Sequence, residues 1–237
     1  MKQILGIAFG LVLSTAASSA DMPPIYDTGP DHPWHKLTSE MPSAGWTGFY
    51  VGVQGGGAWG NYDYLFSPSP NVGSGLSGAI GGALLGYNWQ VGRFVVGIEG
   101  DISASGISGT STCPNPEFSC NAAVDWLGTV RGRVGLPVNN FLPYLTAGVA
   151  FGGMTRTSTS AISGNSLSQS ATHTGWVAGG GIDFVLGDKW IVGGEVLYVD
   201  LGGGSYAAAT VGTSTFSQVT IGSQFTVARA RAIYRLP

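Results

Sequence analysis

From Asp125 to Leu136 the chain alternates strictly in DWLGTVRGRVGL. Trp126, Gly128, Val130, Gly132, Val134 and Leu136 share one side of an extended chain, and Asp125, Leu127, Thr129, Arg131, Arg133 and Gly135 share the other. Wound as a helix, Arg131 and Arg133 would stand roughly 200° apart and no apolar stripe would form. The pattern therefore predicts a strand with an oily face and a charged face, the way a transmembrane β-strand is written.

The same reading gives eight strands: Gly48–Trp59, Gly78–Trp89, Phe94–Ser103, Ala122–Leu136, Leu142–Gly152, Gly175–Leu186, Trp190–Leu201 and Thr220–Leu236. About ten residues suffice for a tilted strand to cross a bilayer. Strands two and three, four and five, and six and seven are joined by Gln90–Arg93, Pro137–Phe141 and Gly187–Lys189, short segments with Gly, Asn and Asp turn chemistry. The other four links, Gly60–Ser77, Ala104–Asn121, Gly153–Thr174 and Gly202–Val219, are long and rich in Ser, Thr and Gly. Short turns on one side and long loops on the other predict an all-β fold: an eight-stranded antiparallel transmembrane up-and-down β-barrel with short periplasmic turns and four long extracellular loops.

Both faces recur elsewhere. Phe94, Val96, Ile98, Gly100 and Ile102 face lipid while Val95, Gly97, Glu99, Asp101 and Ser103 face inward; Trp176, Ala178, Gly180, Ile182, Phe184 and Leu186 face out and leave Asp183 inside. In Leu142–Gly152 either face suits lipid. Tyr87, Trp89, Phe94, Tyr144, Phe184, Trp190 and Tyr234 gather near the turn ends, where an interfacial aromatic girdle belongs.

Composition fits this picture. Only 10% of residues are charged, against roughly 25% in soluble domains. No segment reaches the roughly 18 consecutive apolar residues of a membrane helix. Residues 1–20 read as a cleaved signal peptide, with Lys2, the apolar run Ile4–Leu13 and small Ser18, Ser19 and Ala20 before Asp21; a retained anchor is the rival reading. Removing them leaves nine basic against thirteen acidic residues, a formal charge of −4 with no electrostatic case for nucleic acid. Residues 21–46 carry five prolines and no period, an irregular periplasmic arm ahead of a barrel at 47–237. His32 and His35 in this arm read as solvated, since two histidines alone make a poor metal or haem site. Cys113 and Cys120 in CPNPEFSC read as a loop disulfide in an exported protein; zinc is the weak rival, at least two ligands short.

The inward charges fall at related heights. Glu99 lies five residues beyond Phe94, Arg131 five before Leu136, Glu195 five beyond Trp190 and Arg231 five before Leu236, with Asp101, Arg133, Asp183 and Arg229 within about one residue pair. These eight are predicted to form one interior network, because unpaired charge in a narrow lumen is costly. Eight strands enclose a space just filled by side chains, so a wide pore is not expected. Gly52, Gly97, Gly135, Gly179 and Gly181 on the inner face either leave gaps for water or fit the curvature of a tight barrel.

WTGFYVG at Trp46–Gly52, LLGYNWQ at Leu84–Gln90, VDWLGTVRGRVG at Val124–Gly135 and EVLYVDLG at Glu195–Gly202 together resemble the small porin-like outer-membrane proteins of alphaproteobacteria. The resemblance, which runs from about Trp46 onward, implies an eight-stranded surface barrel of the surface-antigen type. It implies contact with outer-membrane lipid and lipopolysaccharide, with the barrel-assembly machinery, and with a host or surface ligand through the loops. Such barrels usually end on an aromatic residue that the assembly machinery reads, whereas this chain ends Tyr234-Arg235-Leu236-Pro237.

The leading functional expectation is a largely plugged structural barrel serving envelope integrity and surface interactions. The alternative is a small-solute porin or, as the resemblance to some family members implies, a haem-binding or uptake protein, for which His173 beside the third loop is the candidate contact. An acyl hydrolase comes third, because the serines near His173 lie in no recognisable nucleophile motif. The reading is therefore not an enzyme and without a cofactor: no dinucleotide motif, phosphate loop, metal cluster or calcium loop is present.

Overall fold

A computed structural model of the chain describes residues 45–65, 72–112, 117–212, 214–216 and 218–237. The expected signal peptide, almost all of the arm with His32 and His35, and Cys113 lie outside the described residues. The described residues form ten strands: β1 (Gly48–Leu65), β2 (Val72–Val91), β3 (Phe94–Thr112), β4 (Phe118–Gly135), β5 (Phe141–Ser160), β6 (Ser166–Leu186), β7 (Trp190–Tyr206), β8 (Ala209–Val211), β9 (Ser214–Phe216) and β10 (Val219–Arg235). Eight of them close into an antiparallel barrel in the order β1-β10-β7-β6-β5-β4-β3-β2, and β8 and β9 form a separate small hairpin. Closure pairs each of these eight strands with a neighbour on both sides through the apolar band, which a lipid environment demands, and the β6–β7 ladder ends at Trp176–Asp200 at the limit of that band.

The three short turns fall where expected. Gly92, Asn139 and Gly187 each adopt positive φ there, the backbone conformation a tight antiparallel connection needs.

The expected long loops are largely strand. The ladder of β5 and β6 continues from the Phe141–Phe184 pair out to Thr159–Ser166, through most of the Ser/Thr-rich segment. Loss of apolar alternation marks where the outward face leaves lipid, and pairing continues beyond it with hydroxyls facing water. Thr155 and Ser170, Thr157 and Ser168, and Thr159 and Ser166 touch across this extension at 2.8, 3.3 and 3.2 Å, a cross-strand pairing that stabilises sheets.

Alternation also fails at one place in β4. The register shifts between Val124 and Trp126 against β5, and opposite it between Ala104 and Ile107 in β3. Asp125 is the extra residue of this bulge; it is exposed rather than inward with Leu127, and it accepts a hydrogen bond from Thr155 Oγ1 at 2.6 Å. A bulge adds one residue and so reverses the sense of every position beyond it.

The interior is layered. Trp46, Tyr50, Leu84, Val95, Leu142, Val185, Ile191 and Ile233 form an apolar cluster at the short-turn end. A larger cluster, including Ile107, Leu127, Met154, Leu197, Leu201 and Phe225, fills the other end. Trp46, at the close of the expected arm, is 2% exposed, and its backbone N–H donates to Gln90 Oε1 at 3.1 Å. In β5 the ambiguity resolves with Leu142, Tyr144, Thr146 and Ala150 inward and Leu145, Ala147 and Val149 outward. Tyr144 therefore leaves the girdle assigned to it and points into the barrel.

Candidate functional site: a buried belt of charge

Between the two apolar layers lie the charged side chains of β3, β4, β6, β7 and β10. Strand alternation aims them inward, and barrel closure brings distant strands within reach of one another. Glu99 and Arg131 are direct partners in the β3–β4 ladder, as are Glu195 and Arg229 in β7–β10. The equal offsets put Arg231 level with Glu195, but the ladder pairs Arg231 with Gly193, one residue pair lower, because β7 and β10 are linked at the open end and no tight turn fixes their register.

The geometry is dense. Arg131 reaches Glu99 at 2.5 Å, Glu195 at 3.0 Å and Asp101 at 3.2 Å. Arg133 reaches Asp183 at 2.5 Å and Glu99 at 3.4 Å. Arg229 reaches Glu195 at 2.5 Å and Asp101 at 3.1 Å. Arg231 meets Glu99, Glu195 at 3.2 Å and Asp183 at 3.7 Å. All eight expected residues are brought together and buried, and four carboxylates balance four guanidiniums. Charges taken out of water need this degree of mutual pairing, and fork-shaped guanidiniums can supply it to several carboxylates at once.

Three further members escaped the sequence reading. Tyr50 donates to Glu99 at 2.9 Å, Tyr144 donates to Glu195 at 3.1 Å and receives Arg231 Nη1 at 2.7 Å, and Thr129 donates to Asp101. The Arg133 guanidinium also lies 3.9 Å from the centre of the Tyr144 ring, a cation–π arrangement. Tyr50 and Thr129 could have been found, since each shares alternation with an inward residue, Gly52 and Arg131. Tyr144 could not, because both faces of its strand are apolar.

The inner glycines are packed against neighbours. A Cβ on Gly181 would lie 2.6 Å from the Tyr144 hydroxyl and 2.8 Å from Glu195 Cβ, and one on Gly135 would lie 2.8 Å from a Leu142 methyl. Their missing side chains make room for the belt and its apolar cap.

His173 lies apart from the belt, beyond Trp176 on β6. It is buried inside the barrel end, 3% exposed, with Nε2 3.1 Å from the Tyr206 hydroxyl, where burial lowers its pKa from the usual 6.5. Cys120 carries no free thiol. No group of three or more His, Cys, Asp or Glu able to hold a metal occurs among the described residues.

An outward apolar face, aromatic rings such as Phe49–Tyr87 and Trp190–Tyr234 at the turn end with centroids 4.5 and 5.2 Å apart, and a charged interior define a small transmembrane β-barrel. The chain belongs to the outer membrane protein β-barrel domain family, whose model matches residues 36–225. It is 28% identical over 217 residues to the 31 kDa outer-membrane immunogenic protein of Brucella melitensis, covering 85% of this chain and 88% of that one. It is 32% identical over 159 residues to a 22 kDa outer membrane protein of Rhizobium leguminosarum bv. viciae, covering 67% and 66%. Among solved structures it is similar to the outer membrane protein OprG from Pseudomonas aeruginosa, with 13% identity, a TM-score of 0.48, and 81% and 99% of the two chains covered. This is an outer-membrane β-barrel protein, similar to outer-membrane proteins of Brucella and Rhizobium.

Proposed function

We propose that the protein is a structural, largely plugged barrel that contributes to envelope integrity and presents its outer strands and loops for surface interactions, rather than a diffusion porin or an enzyme. One observation carries this reading: the eight charges pair with one another across the bore, between two layers of buried apolar side chains. A permeant ion would have to part the salt bridges and cross both layers. Assembly through the barrel-assembly machinery and contact with a host or surface ligand belong to the same reading, as does a Cys113–Cys120 disulfide pinning the end of the β3–β4 hairpin. A haem role for His173 gains no support, because its Nε2 is engaged by Tyr206 inside the barrel.

The test is conductance in a planar bilayer, using protein shown to be folded by faster gel migration before boiling than after. Silence or rare small openings are expected. Large, steady, solute-permeable steps would overturn the plugged reading.

A further inference from the structure

The bulge that turns Asp125 outward also builds a cavity. About 210 Å³ in volume, it is lined by Asp125, Trp126, Gly153, Ser170 and Thr172 among others. It sits at the boundary of the membrane face. On β6 the outward residues run Leu186, Phe184, Ile182, Gly180, Ala178 and Trp176, and then change to Thr174, Thr172, Ser170, Ser168 and Ser166. On β4 the same boundary falls between Trp126 and Asp125. Bulges beside binding sites commonly re-aim one side chain, and without this one Asp125 would project into the lumen.

The hydrogen-bond polarity of the cavity can be read out. Thr155 commits its single hydroxyl proton to Asp125 Oδ2, so the 2.8 Å contact between Thr155 and Ser170 requires Ser170 to donate. Ser170 is thereby left with lone pairs, and the second oxygen of Asp125 has no partner among the described residues. The half-buried Trp126 indole lies over Gly153, in the space a side chain there would occupy, and forms an apolar wall. Acceptors beside an aromatic wall suit a ligand that donates from several hydroxyls and offers a C–H face to the ring. The cavity is smaller than pockets for drug-sized ligands, roughly 300–1,000 Å³, and fits one sugar ring rather than a chain.

We propose that the Asp125–Trp126 cavity is a saccharide subsite that holds one pyranose ring of the glycolipid headgroups around the barrel in the outer leaflet, the lipopolysaccharide sugars. Its height commits it to this source: it opens sideways at the level where acyl chains give way to headgroups, away from the loop tips a soluble glycan would meet first.

The full-length protein, extracted in a detergent without a sugar headgroup, is mixed with methyl α-D-glucopyranoside and read by saturation-transfer NMR. Lipopolysaccharide retained per barrel after purification is measured in parallel. Transfer to ring protons is expected in the parent, with a loss of about threefold or more in Asp125→Asn and Trp126→Leu, the effect of one hydrogen bond or more, and a matching loss of retained lipopolysaccharide. Heat-modifiable migration of both variants verifies folding, and Asp125→Asn, an exposed isosteric change, keeps the test valid should Trp126→Leu misfold. Equal transfer in parent and variants overturns the site. A stronger signal from ethanolamine than from the glycoside also overturns it, in favour of a cation site. Glycoside binding with unchanged lipopolysaccharide retention overturns the membrane source in favour of a soluble glycan.

Discussion

Arg131 on β4 and Glu195 on β7 are not neighbours in the barrel wall, yet their side chains meet at 3.0 Å. The contact spans the bore, so the belt closes the lumen as well as bracing its wall. Glu195 also receives Arg229, Arg231 and Tyr144, so three cations depend on it, as three depend on Glu99.

Glu195→Gln keeps the shape and removes the charge, leaving the belt with one uncompensated guanidinium. Breaking a buried pair by removing one partner costs about 3–5 kcal/mol, and a loss of this size is expected in urea unfolding from lipid vesicles. Any leak current gained should select anions, since excess positive charge lines the opening, and Arg131→Met should select cations. Unchanged stability in both variants would refute the interdependence of the belt.

Gly181 makes a steric prediction. A side chain there meets the Tyr144 hydroxyl and Glu195 Cβ at once, and neither can withdraw without giving up a hydrogen bond in the belt. Gly181→Val should cost about 1–3 kcal/mol by overpacking alone, with further loss if Tyr144 is displaced. Gly194, exposed on the lipid side and with only a backbone oxygen at 3.8 Å from an added Cβ, is the control: Gly194→Val should change urea stability little.

The charged belt was legible because inward alternation, turn-anchored spacing and scarcity of charge all pointed to the same eight residues. Tyr144 was not legible, since both faces of its strand are apolar and only three-dimensional closure says which one meets the belt. The outer halves of the strands were hidden for another reason. Hydrophobic alternation reports the lipid boundary, and Thr157 paired with Ser168 carries no such signal although it lies in continuous strand. Asp125 was misplaced because a bulge needs two strands to reveal it, and a single strand read alone shows unbroken period two.

His173 predicts a pH response. Burial lowers its folded pKa below 6.5, so on acidification the unfolded chain takes up the proton first and the folded state loses stability. The loss begins near the unfolded value and grows until the folded imidazole itself titrates; above pH 7 the effect is absent. Hydrogen exchange in the outer parts of β6 and β7 should quicken between pH 7 and pH 5 relative to His173→Gln, which does not titrate. Parallel pH profiles in parent and variant would show that His173 does not contribute.

Cys120 sits buried near the outer end of β4, 3.8 Å from Ser158 Oγ, where β3 and β4 still pair through Thr112 and Ser119. A bond to Cys113 would close only a short loop, so its effect should be local. Constraining so short a loop contributes about 2–3 kcal/mol against opening of the hairpin end, while the wall below is held by its own ladder. Reduction, or Cys120→Ser, should therefore speed proteolytic nicking between β3 and β4 by about tenfold or more, with unchanged migration of the unboiled barrel. If reduction instead abolished the fast-migrating form, the disulfide would be a determinant of barrel closure; if nicking were unaffected, the two cysteines would not be bonded to each other.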